Sequence, residues 1–439
     1  AGPAGVPATG TAGAPAGGTG HPPLVTRHDD EIAKAYLRAV TARFTRAAGQ
    51  PGKPPLTVVY TPMHGVAGSL MLRAIERAGL ATVRVVTAQA EPDPDFPTLA
   101  FPNPEEPGAL DLALKEAAWA GADLVLASDP DGDRLAVAAP DNVAAPDNST
   151  GPDNGTGPGG WRQLTGDQLG ALLGSYLLRA SPFRASPFRA GDPASPPASG
   201  SGEPRVPLVA TTIVSSTLLR KIAAAAGAGY AETLTGFKWI SRAGDAFGTG
   251  DASRAGEAGT PELVFGYEEA LGYMVGQVVR DKDGIGAALA VLAMAAEARA
   301  NGRTLLDAYD ALEREHGVHL TLQLSMRIGD TAAVMRRIRA TPPVELGGIR
   351  VTSITDYSEP GTAPGTPSAP GTGLPPSDVL RFTLDGARVV IRPSGTEPKV
   401  KAYLEVVQPA GDGTTLPAAR AAARARLAPL RAAVSDILA

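Results

Sequence analysis

The chain has 439 residues with 40 basic and 45 acidic side chains, which gives a formal net charge of −5. A charge this close to balance argues against a protein that binds nucleic acid by neutralising phosphates along a duplex. Cysteine is absent, which excludes disulfides, zinc–thiolate sites and cysteine nucleophiles. At roughly 150 residues per domain, the length predicts about three domains.

The sequence shows neither a membrane segment nor a secretion signal. Its most apolar run, 285–296, is about a dozen residues long, whereas a transmembrane helix needs ~20. Residues 1–26 carry no charge, so the basic start of a signal peptide is missing. We therefore expect a cytoplasmic protein without membrane or nucleic-acid partners. The first residue is alanine, and we interpret the missing methionine as a sign that preceding residues have been lost.

Glycine (52 residues) and proline (41 residues) are abundant, and much of this excess lies in four stretches of low complexity. Such sequences bury too little apolar surface to offset the entropy lost on ordering. We predict that residues 1–23 are disordered. The other three stretches are interpreted as surface loop insertions, at 139–160, 181–206 and 357–377.

Between these stretches, short β-rich apolar runs alternate with segments of helical spacing. Strands alternating with helices of 10–15 residues indicate βαβ units and largely parallel sheets. In chain order, the pattern predicts strands at 56–60, 81–86, 123–127, 208–212 and 262–265. It predicts helices at 68–78, 110–120, 167–178, 216–225 and 286–299.

From about Leu320 onward the pattern changes to hairpin-connected strands. Strands are predicted at 379–384, 387–392 and 400–407, with Asp385 and Gly386 forming the first turn and an amphipathic helix at 417–437. The predicted fold class is therefore α/β: two similar three-layer α/β domains with mixed, largely parallel sheets, plus a smaller C-terminal α+β domain. The domain limits predicted from these changes are 24–160, 161–318 and 319–439.

Three aspartates follow the strand predicted at 123–127, at alternate positions of one tight turn: Asp129, Asp131 and Asp133. Their carboxylates can converge on one hard cation, and Mg²⁺ is favoured because all three side chains are carboxylates. An EF-hand is excluded, since its sixth place would need glycine and its twelfth glutamate, and these are Arg134 and Pro140. The alternative is a solvated acidic turn. Ligands bind at strand ends in α/β domains, which favours the metal site.

A second loop, 392–399 (RPSGTEPK), lies between two predicted strands of the C-terminal domain. Its residues suit an anion, because arginine and lysine offer charge, hydroxyls offer hydrogen bonds and glycine allows close approach of backbone N–H groups. The loop is not a P-loop, since G-x-x-x-x-G-K-[ST] is absent. A polar hairpin-like loop remains the alternative. The candidate ligand-binding residues are Arg392, Ser394, Gly395 and Thr396.

A third group of candidates contains two glutamates and a histidine in loops that follow predicted strands, together with two lysines. Glu268 and Glu269 could bind sugar hydroxyls or act as acid and base, or could simply be solvated. Lys282 and Lys238 are candidate phosphate or hydroxyl contacts, although lone lysines are usually solvated. His64 precedes a helix N-terminus, a natural anion site, and the alternative is a histidine that holds its own loop by hydrogen bonds.

The order of these loops resembles the α-D-phosphohexomutase superfamily, the phosphoglucomutase and phosphomannomutase enzymes. The flanking sequence is most similar to the phosphoglucomutase/phosphopentomutase branch. The resemblance covers about 24–405, interrupted by the low-complexity stretches. The segments that carry it, besides the aspartate and arginine loops, are 61–68, 93–97, 102–106, 234–239, 268–273 and 281–284.

The resemblance implies an isomerase of the intramolecular phosphotransferase type, in carbohydrate metabolism. It would interconvert a sugar 1-phosphate with a 6-phosphate, or a pentose 1-phosphate with a 5-phosphate, through a sugar bisphosphate. It implies a metal-binding, a sugar-recognition and a phosphate-binding domain, in that order. Ala270 stands where many members have serine, which removes one hydroxyl contact. The implied roles are Mg²⁺ ligation by Asp129, Asp131 and Asp133, catalysis by Arg134 and Lys282, sugar binding by Glu268, and binding of the non-reacting phosphate by Arg392, Ser394, Gly395 and Thr396.

Family members also carry a phosphorylated serine in a Thr-x-Ser-His-Asn-Pro loop of a further N-terminal domain. In this sequence no histidine follows a serine. We therefore expect the phosphoserine domain to be absent and this chain to be inactive alone. Two alternatives are a sugar-bisphosphate synthase, which uses an acyl-phosphate donor, and a non-catalytic phosphosugar-binding protein. The sequence leaves open the choice between hexose and pentose, and between monomer and dimer.

Overall fold

A computed structural model describes residues 28–44, 55–141, 156–157, 160–180, 205–246, 260–358, 374–395, 397–411 and 413–439. The segment predicted to be disordered, 1–23, lies outside these described residues. So does most of each of the three predicted insertions.

The described residues form helices that alternate with strands up to the third sheet. The helices are α1 (Glu31–Ala42), α2 (Gly68–Ala78), α3 (Asp111–Ala120), α4 (Gly166–Ala180), α5 (Leu218–Ala226), α6 (Phe237–Ile240), α7 (Ala243–Ala246), α8 (Gly284–Ala300), α9 (Leu305–His316), α10 (Thr331–Ala340) and α11 (Leu416–Leu438), with a 3₁₀ turn at Thr87–Gln89.

The strands of the first two sheets are β1 (Leu56–Thr61), β2 (Ala81–Val85), β3 (Leu124–Ser128), β4 (Leu135–Pro140), β5 (Thr156–Gly157), β6 (Trp161–Gln163), β7 (Arg205–Thr212), β8 (Gly229–Thr233), β9 (Thr260–Glu268) and β10 (Gly272–Val275). Those of the third sheet are β11 (Val318–Arg327), β12 (Glu345–Leu346), β13 (Ile349–Asp356), β14 (Leu380–Leu384), β15 (Ala387–Pro393) and β16 (Lys399–Gln408).

The first two sheets are mixed and the third is antiparallel. In the first, of order β2-β1-β3-β4-β6-β5, β1 runs parallel to both of its neighbours and β4 runs antiparallel to β3. In the second, of order β10-β9-β7-β8, β7 is parallel to β8 and β9, and β10 is antiparallel to β9. The third has the order β11-β16-β15-β14-β13-β12. The predicted fold class is confirmed, while the predicted domain limits stay predictions.

The two α/β units share one apolar core, and α8 joins them. This helix consists almost entirely of alanine, glycine and aliphatic residues, and its side chains from Ile285 to Ala295 are buried. A helix that is apolar on every side has to be surrounded by protein. It packs against β4 of the first sheet and β10 of the second. The loops at the strand ends of the two sheets are therefore held next to each other.

The third sheet has two differently used faces, because side chains alternate along a strand. Val389, Ile391, Ala402 and Leu404 are buried in the core of the C-terminal unit, with α10 and α11. On the opposite face, Val390 and Tyr403 belong to a buried cluster with residues of the second α/β unit, including Ile213, Val214 and Leu234. This second face sets the position of the predicted phosphate loop.

The limits predicted for the insertions differ from the structure at their edges. Pro140 belongs to β4 and pairs with Trp161, so the first insertion begins after the strand. Tyr357 is fully buried, and Leu374 joins the same cluster as Tyr403. The burial of these residues could not be predicted from a sequence of low complexity, because a single buried side chain leaves no periodic signal. In the described part of the chain, no helix combines the length and apolar character needed to cross a bilayer.

Candidate functional site

The aspartate loop begins where β3 ends. Asp129 is buried, Asp131 is exposed and Asp133 is half-buried, and one oxygen of each carboxylate lies within 4.8 Å of the others. Burial, reinforced by the charges of Asp131 and Asp133, raises the pKa of Asp129 to about 7. Three acidic groups this close repel one another unless a proton or a cation is shared between them.

Two glycines let the aspartate loop pack tightly against its neighbours. Gly132 has φ 75°, and a Cβ added there would meet the Cβ of Ala67 at 2.3 Å. A Cβ on Gly284, at the start of α8, would lie 2.7 Å from the carbonyl oxygens of Gly132 and Arg134. A side chain at Gly132 would force Ala67 to move, and one at Gly284 would force the backbone of the aspartate loop to move. The aspartate loop is therefore packed closely between the loop 61–68 and α8.

The donor set of this loop suits a hard divalent cation. All three candidate ligands are carboxylate oxygens that already converge, and oxygen ligands of this kind are preferred by Mg²⁺ and Ca²⁺. Asp129 is additionally oriented by the backbone N–H of Arg134, which donates to its Oδ1 at 2.9 Å. Asp129, Asp131 and Asp133 are therefore the residues that fit a metal ion.

The glutamate loop joins β9 to β10 and contacts the aspartate loop directly. The backbone N–H of Leu135 donates to the carbonyl oxygen of Leu271 at 3.1 Å, and Arg134 forms a β-bridge with Gly272. The structure thus places the glutamate loop next to the aspartate loop.

The two glutamates have different partners. Glu268 accepts a hydrogen bond from the backbone N–H of Gly236 at 2.6 Å, which ties it to the loop 234–239. Glu269 Oε2 accepts from the hydroxyls of Ser215 at 3.1 Å and Thr212 at 3.3 Å. Burial, with the nearby charges of Asp167 and Glu268, raises the pKa of Glu269 to about 7.

Lys282 and Arg134 place positive charge beside the aspartates. The Nζ of Lys282 lies 2.8 Å from Asp133 Oδ2 and 5.7 Å from the ring centre of Phe237. Burial opposes its charge, but the hydrogen bond to Asp133 and the charges of Asp133, Asp281 and Glu268 raise the pKa of Lys282 above its ordinary value. The Nε of Arg134 lies 3.7 Å from Asp129 and 4.0 Å from Asp133.

The predicted phosphate loop joins β15 to β16. Arg392 is half-buried, and the backbone N–H of Ser394 donates to the carbonyl oxygen of Lys399 at 2.8 Å, which closes the loop. Gly395 is exposed, and a Cβ added there would contact nothing within 4 Å. Thr396 lies outside the described residues. The loop therefore presents an open, polar backbone next to one half-buried guanidinium.

Unlike Lys282 and Arg134, the side chains of His64 and Lys238 have their described contacts with residues other than the aspartates. His64 is buried with φ 60°, and its Nε2 lies 2.9 Å from the hydroxyl of Thr98. Its backbone N–H donates to the backbone carbonyl oxygen of Gln89 at 3.0 Å. These are the contacts of a histidine that holds its own loop. Lys238 is exposed, with its Nζ 5.3 Å from the ring centre of Trp239.

Sequence reasoning missed the hydroxyl groups that hold Glu269. Thr212 ends β7, and Ser215 lies in the turn before α5. The signal was present, because the segment 211–217 (TTIVSST) places five hydroxyl residues after a predicted strand of an α/β unit. Strand ends of this kind are where such folds bind ligands.

Three family models match the chain in order. They are the phosphoglucomutase/phosphomannomutase alpha/beta/alpha domain II over residues 34–142, domain III over 165–315 and the C-terminal domain over 332–422. The chain belongs to this family, the α-D-phosphohexomutase superfamily. The predicted family is confirmed.

Curated relatives agree with the family. A "Probable phosphomannomutase" of Haemophilus influenzae is 35% identical over 384 residues, which are 86% of this chain and 64% of that protein. A "Probable phosphoribomutase" of Schizosaccharomyces pombe is 32% identical over 365 residues, 80% of this chain and 54% of that protein. The chain thus spans less than two thirds of either relative. Because these relatives are named mutases, the chain belongs to a family of isomerases.

Solved structures share the fold. One is the N-acetylphosphoglucosamine mutase of Aspergillus fumigatus, described as a complex with GlcNAc-6P and magnesium. It matches with a TM-score of 0.52 and 14% identity, over 93% of this chain and 66% of that chain. At this identity the match shows the fold alone.

Proposed function

We propose that this chain provides the metal-, sugar- and phosphate-binding parts of a phosphosugar mutase. The reaction would move a phosphoryl group between C1 and C6 of a hexose, or between C1 and C5 of a pentose, through a sugar bisphosphate. Family membership and the names of the two curated relatives support this proposal. The substrate would be a small phosphosugar in the cytoplasm.

One observation carries the proposal. The 2.8 Å contact between Lys282 Nζ and Asp133 Oδ2 joins the loop before α8 to the aspartate loop. Phosphoryl transfer needs charge neutralisation and in-line positioning more than covalent chemistry. A lysine, an arginine and three carboxylates in mutual contact supply both signs of charge that such a reaction uses.

Asp129, Asp131 and Asp133 would hold Mg²⁺, as their converging carboxylate oxygens suit it. When bound, the cation would neutralise charge on the oxygens of the reacting phosphoryl group. The magnesium in the described complex of the Aspergillus fumigatus enzyme supports this choice of metal.

Arg134 and Lys282 would act on the reacting phosphoryl group. The Arg134 guanidinium is anchored near Asp129 and Asp133 and can turn its remaining N–H donors toward a phosphoryl oxygen. The Lys282 ammonium, whose raised pKa keeps it protonated at neutral pH, would hold a proton near the sugar oxygen or bind phosphate. Charge-assisted hydrogen bonds of this kind are about twice as strong as neutral ones.

The glutamate and arginine loops would position the sugar phosphate. Glu268 and Glu269 would accept hydrogen bonds from sugar hydroxyls, and Lys238 would contact a hydroxyl or the phosphate. The pKa of about 7 lets Glu269 exchange its proton at working pH. Arg392, Ser394, Gly395 and Thr396 would hold the phosphate that does not react.

We infer that the chain alone gives no turnover, since no Ser-His pair is present in its sequence to serve as the family's phosphoserine loop. The experiment is incubation with glucose 1-phosphate or ribose 1-phosphate, Mg²⁺ and the matching bisphosphate, with Asp131→Ala as the control. Turnover above the control would contradict the inference. Bisphosphate formed from an acyl-phosphate donor would instead indicate a synthase. Ligand binding without either reaction is the expected result.

A further inference from the structure

Two segments that carry the family resemblance, 61–68 and 93–97, contact each other beside the aspartate loop. Neither segment holds a residue of the proposed metal, sugar or phosphate sites. The backbone N–H of Asp93 donates to the carbonyl oxygen of His64 at 3.0 Å, and the backbone N–H of His64 donates to the carbonyl oxygen of Gln89 at 3.0 Å. Both backbone polar groups of His64 are thus bonded to residues 89–93.

The turn at Met63 and His64 has an unusual backbone. Both residues have left-handed φ angles, 51° and 60°. This conformation is costly for residues with a Cβ atom, and it persists only where the surrounding structure enforces it. Met63 is fully buried, and its backbone N–H donates to the hydroxyl of Thr61 at 3.0 Å. The turn therefore depends on contacts with neighbouring side chains.

A chain of side-chain hydrogen bonds supplies these contacts. The hydroxyl of Thr61 donates to Gln89 Oε1 at 2.6 Å, and Gln89 Nε2 donates to the hydroxyl of Thr98 at 3.0 Å. The same hydroxyl of Thr98 lies 2.9 Å from His64 Nε2. Gln89 is 1% exposed, so loss of a partner would leave a buried amide unsatisfied. Thr98 therefore joins the buried amide of Gln89 to the imidazole of His64.

The residues after this turn contact the two residues that separate the three aspartates of the aspartate loop. The backbone N–H of Val66 donates to the carbonyl oxygen of Pro130 at 2.8 Å, and a Cβ added to Gly65 would lie 2.4 Å from that oxygen. The Cβ of Ala67 lies against Gly132, where an added Cβ would meet it at 2.3 Å. A shift of residues 65–67 would therefore change the distances between the three carboxylates.

We propose that Thr98 and His64 are positioning residues for the metal ion at the aspartate loop. Thr98 holds the imidazole of His64, His64 holds the left-handed turn, and the turn places residues 65–67 against the loop. Groups that orient metal ligands without touching the ion affect metal affinity. This assignment rests on the proposed function, which places Mg²⁺ at the aspartates, and it gives the segments 61–68 and 93–98 a common role.

Thr98 is suited to a test because it is exposed, so its replacement should leave the core intact. Thr98→Val removes the hydroxyl and keeps the shape of the side chain, whereas Thr98→Ser keeps the hydroxyl. Thr352→Val is the matched control, since Thr352 is also exposed and its hydroxyl donates to the carbonyl oxygen of Thr383 in the third sheet at 3.0 Å. His64→Asn keeps a residue type that tolerates left-handed φ and has a shorter side chain.

The test is titration of the whole chain with Mn²⁺ alone, with the free ion measured by electron paramagnetic resonance, followed by competition with Mg²⁺. Mn²⁺ takes the same oxygen ligands as Mg²⁺. We expect Thr98→Val and His64→Asn to weaken binding of both ions by about 3- to 10-fold, less than the ~10- to 100-fold loss typical of a direct partner of a metal ligand. Thr98→Ser and Thr352→Val should bind as the wild type does. The double variant should lose less than the two single losses combined, because both changes break one shared contact.

Unchanged metal affinity in Thr98→Val and His64→Asn, with lost affinity in Asp131→Ala, would overturn the assignment and leave the proposed function standing. Absence of metal binding by the wild type would overturn both. Circular dichroism and urea denaturation of each variant separate loss of the contact from loss of the fold. A loss of affinity in Thr98→Val that Thr98→Ser shares would also contradict the assignment, because serine retains the hydroxyl.

Discussion

At the scale of single residues, adjacent identical side chains differ through their surroundings. Glu268 is bonded to a backbone amide, while Glu269 is half-buried and bonded to the hydroxyls of Ser215 and Thr212. Burial disfavours a charged carboxylate, and the neighbouring charges of Asp167 and Glu268 add to that effect. The free energy of unfolding should therefore depend on the protonation of Glu269.

Replacement Glu269→Gln should stabilise the protein at pH 8 but not at pH 5. The pKa of Glu269 is raised from 4.5 to about 7 in the folded state, so the folded state binds this proton more tightly. As pH rises between those values, the free energy of unfolding of the wild type falls by about 1–3 kcal/mol, and glutamine removes this loss. Urea denaturation of both proteins at pH 5 and pH 8 measures the free energy of unfolding. An equal effect of the variant at both would contradict the raised pKa.

The aspartate, glutamate and arginine loops could be predicted from the sequence because each is a contiguous run after a predicted strand. The residues that contact these loops could not be predicted, since they are distant from the loops in the chain. Ser215 and Glu269, for example, are 54 residues apart and meet only because β7 and β9 are neighbours in one sheet. The position of Lys401 beside Arg392 depends in the same way on the register of β15 and β16.

At the scale of elements, α1 holds the loop that carries Lys282. The hydroxyl of Tyr36 donates to Asp283 Oδ1 at 2.7 Å, and Asp283 in turn accepts from the backbone N–H of Gly286 as the N-cap of α8. A capping residue satisfies a helix N–H that has no partner within the helix. Through Asp283, α1 therefore helps to hold the neighbouring lysine against Asp133.

Replacement Tyr36→Phe should lower the free energy of unfolding by about 1.5–3 kcal/mol, the usual value of a hydrogen bond to a charged group. The matched control is Tyr357→Phe. Among the described residues, the buried hydroxyl of Tyr357 has no hydrogen-bond partner, so its removal should cost little or stabilise. Chemical denaturation of both variants tests this, and equal losses would show that the contact of Tyr36 with Asp283 contributes nothing.

Elements with a clear apolar period were predictable, but length alone was not sufficient, since α1, α9 and β11 were not predicted. The helix predicted at 68–78 has the limits of α2, because its apolar residues recur at helical spacing. The strand β10 was missed since it has only four residues and follows Leu271, which has φ 62° without being glycine. The strand β8 was missed because four of its five side chains are only half-buried, so no apolar run marks it.

At the scale of the whole molecule, a buried network around an ion pair of the third sheet fixes the C-terminal unit to the second α/β unit. Arg388 Nη2 lies 3.0 Å from Glu405 Oε2, and its Nη1 donates to the backbone carbonyl of Ile213 at 3.0 Å. Glu405 also accepts from the hydroxyl of Ser216 at 2.8 Å. Ile213 and Ser216 flank Ser215, whose hydroxyl donates to Glu269. The segment 213–216 therefore contacts both the third sheet, which carries the phosphate loop, and the glutamate loop.

Replacement Glu405→Gln should lower the free energy of unfolding by about 3–5 kcal/mol, because it leaves the buried Arg388 without its closest charge partner. Burial opposes ionisation, but Arg388 and His319 lower the pKa of Glu405 from 4.5 to about 2. In the wild type, ionised Glu405 should therefore stabilise the protein above about pH 4.5, and this stabilisation should be lost as pH falls toward 2. The variant has no such carboxylate and should not show this loss.

Glu116→Gln is the matched control, since Glu116 forms a solvent-accessible ion pair with Arg84 at 2.9 Å. Such a pair contributes about 0–1 kcal/mol. Thermal unfolding of the two variants at pH 7 and pH 4 compares them. A similar, small loss for both would show that the network around Arg388 and Glu405 does not stabilise the contact between the two units.

The central claim is that the aspartate loop and the arginine loop bind one phosphosugar together. The most direct measurement is the affinity for glucose 1,6-bisphosphate with Mg²⁺ and with EDTA, in the wild type, Asp131→Ala and Arg392→Met. We expect Mg²⁺ to strengthen binding by the wild type, Asp131→Ala to abolish this strengthening, and Arg392→Met to bind about 10- to 100-fold more weakly. Binding that is independent of Mg²⁺ and unaffected by both substitutions would contradict it.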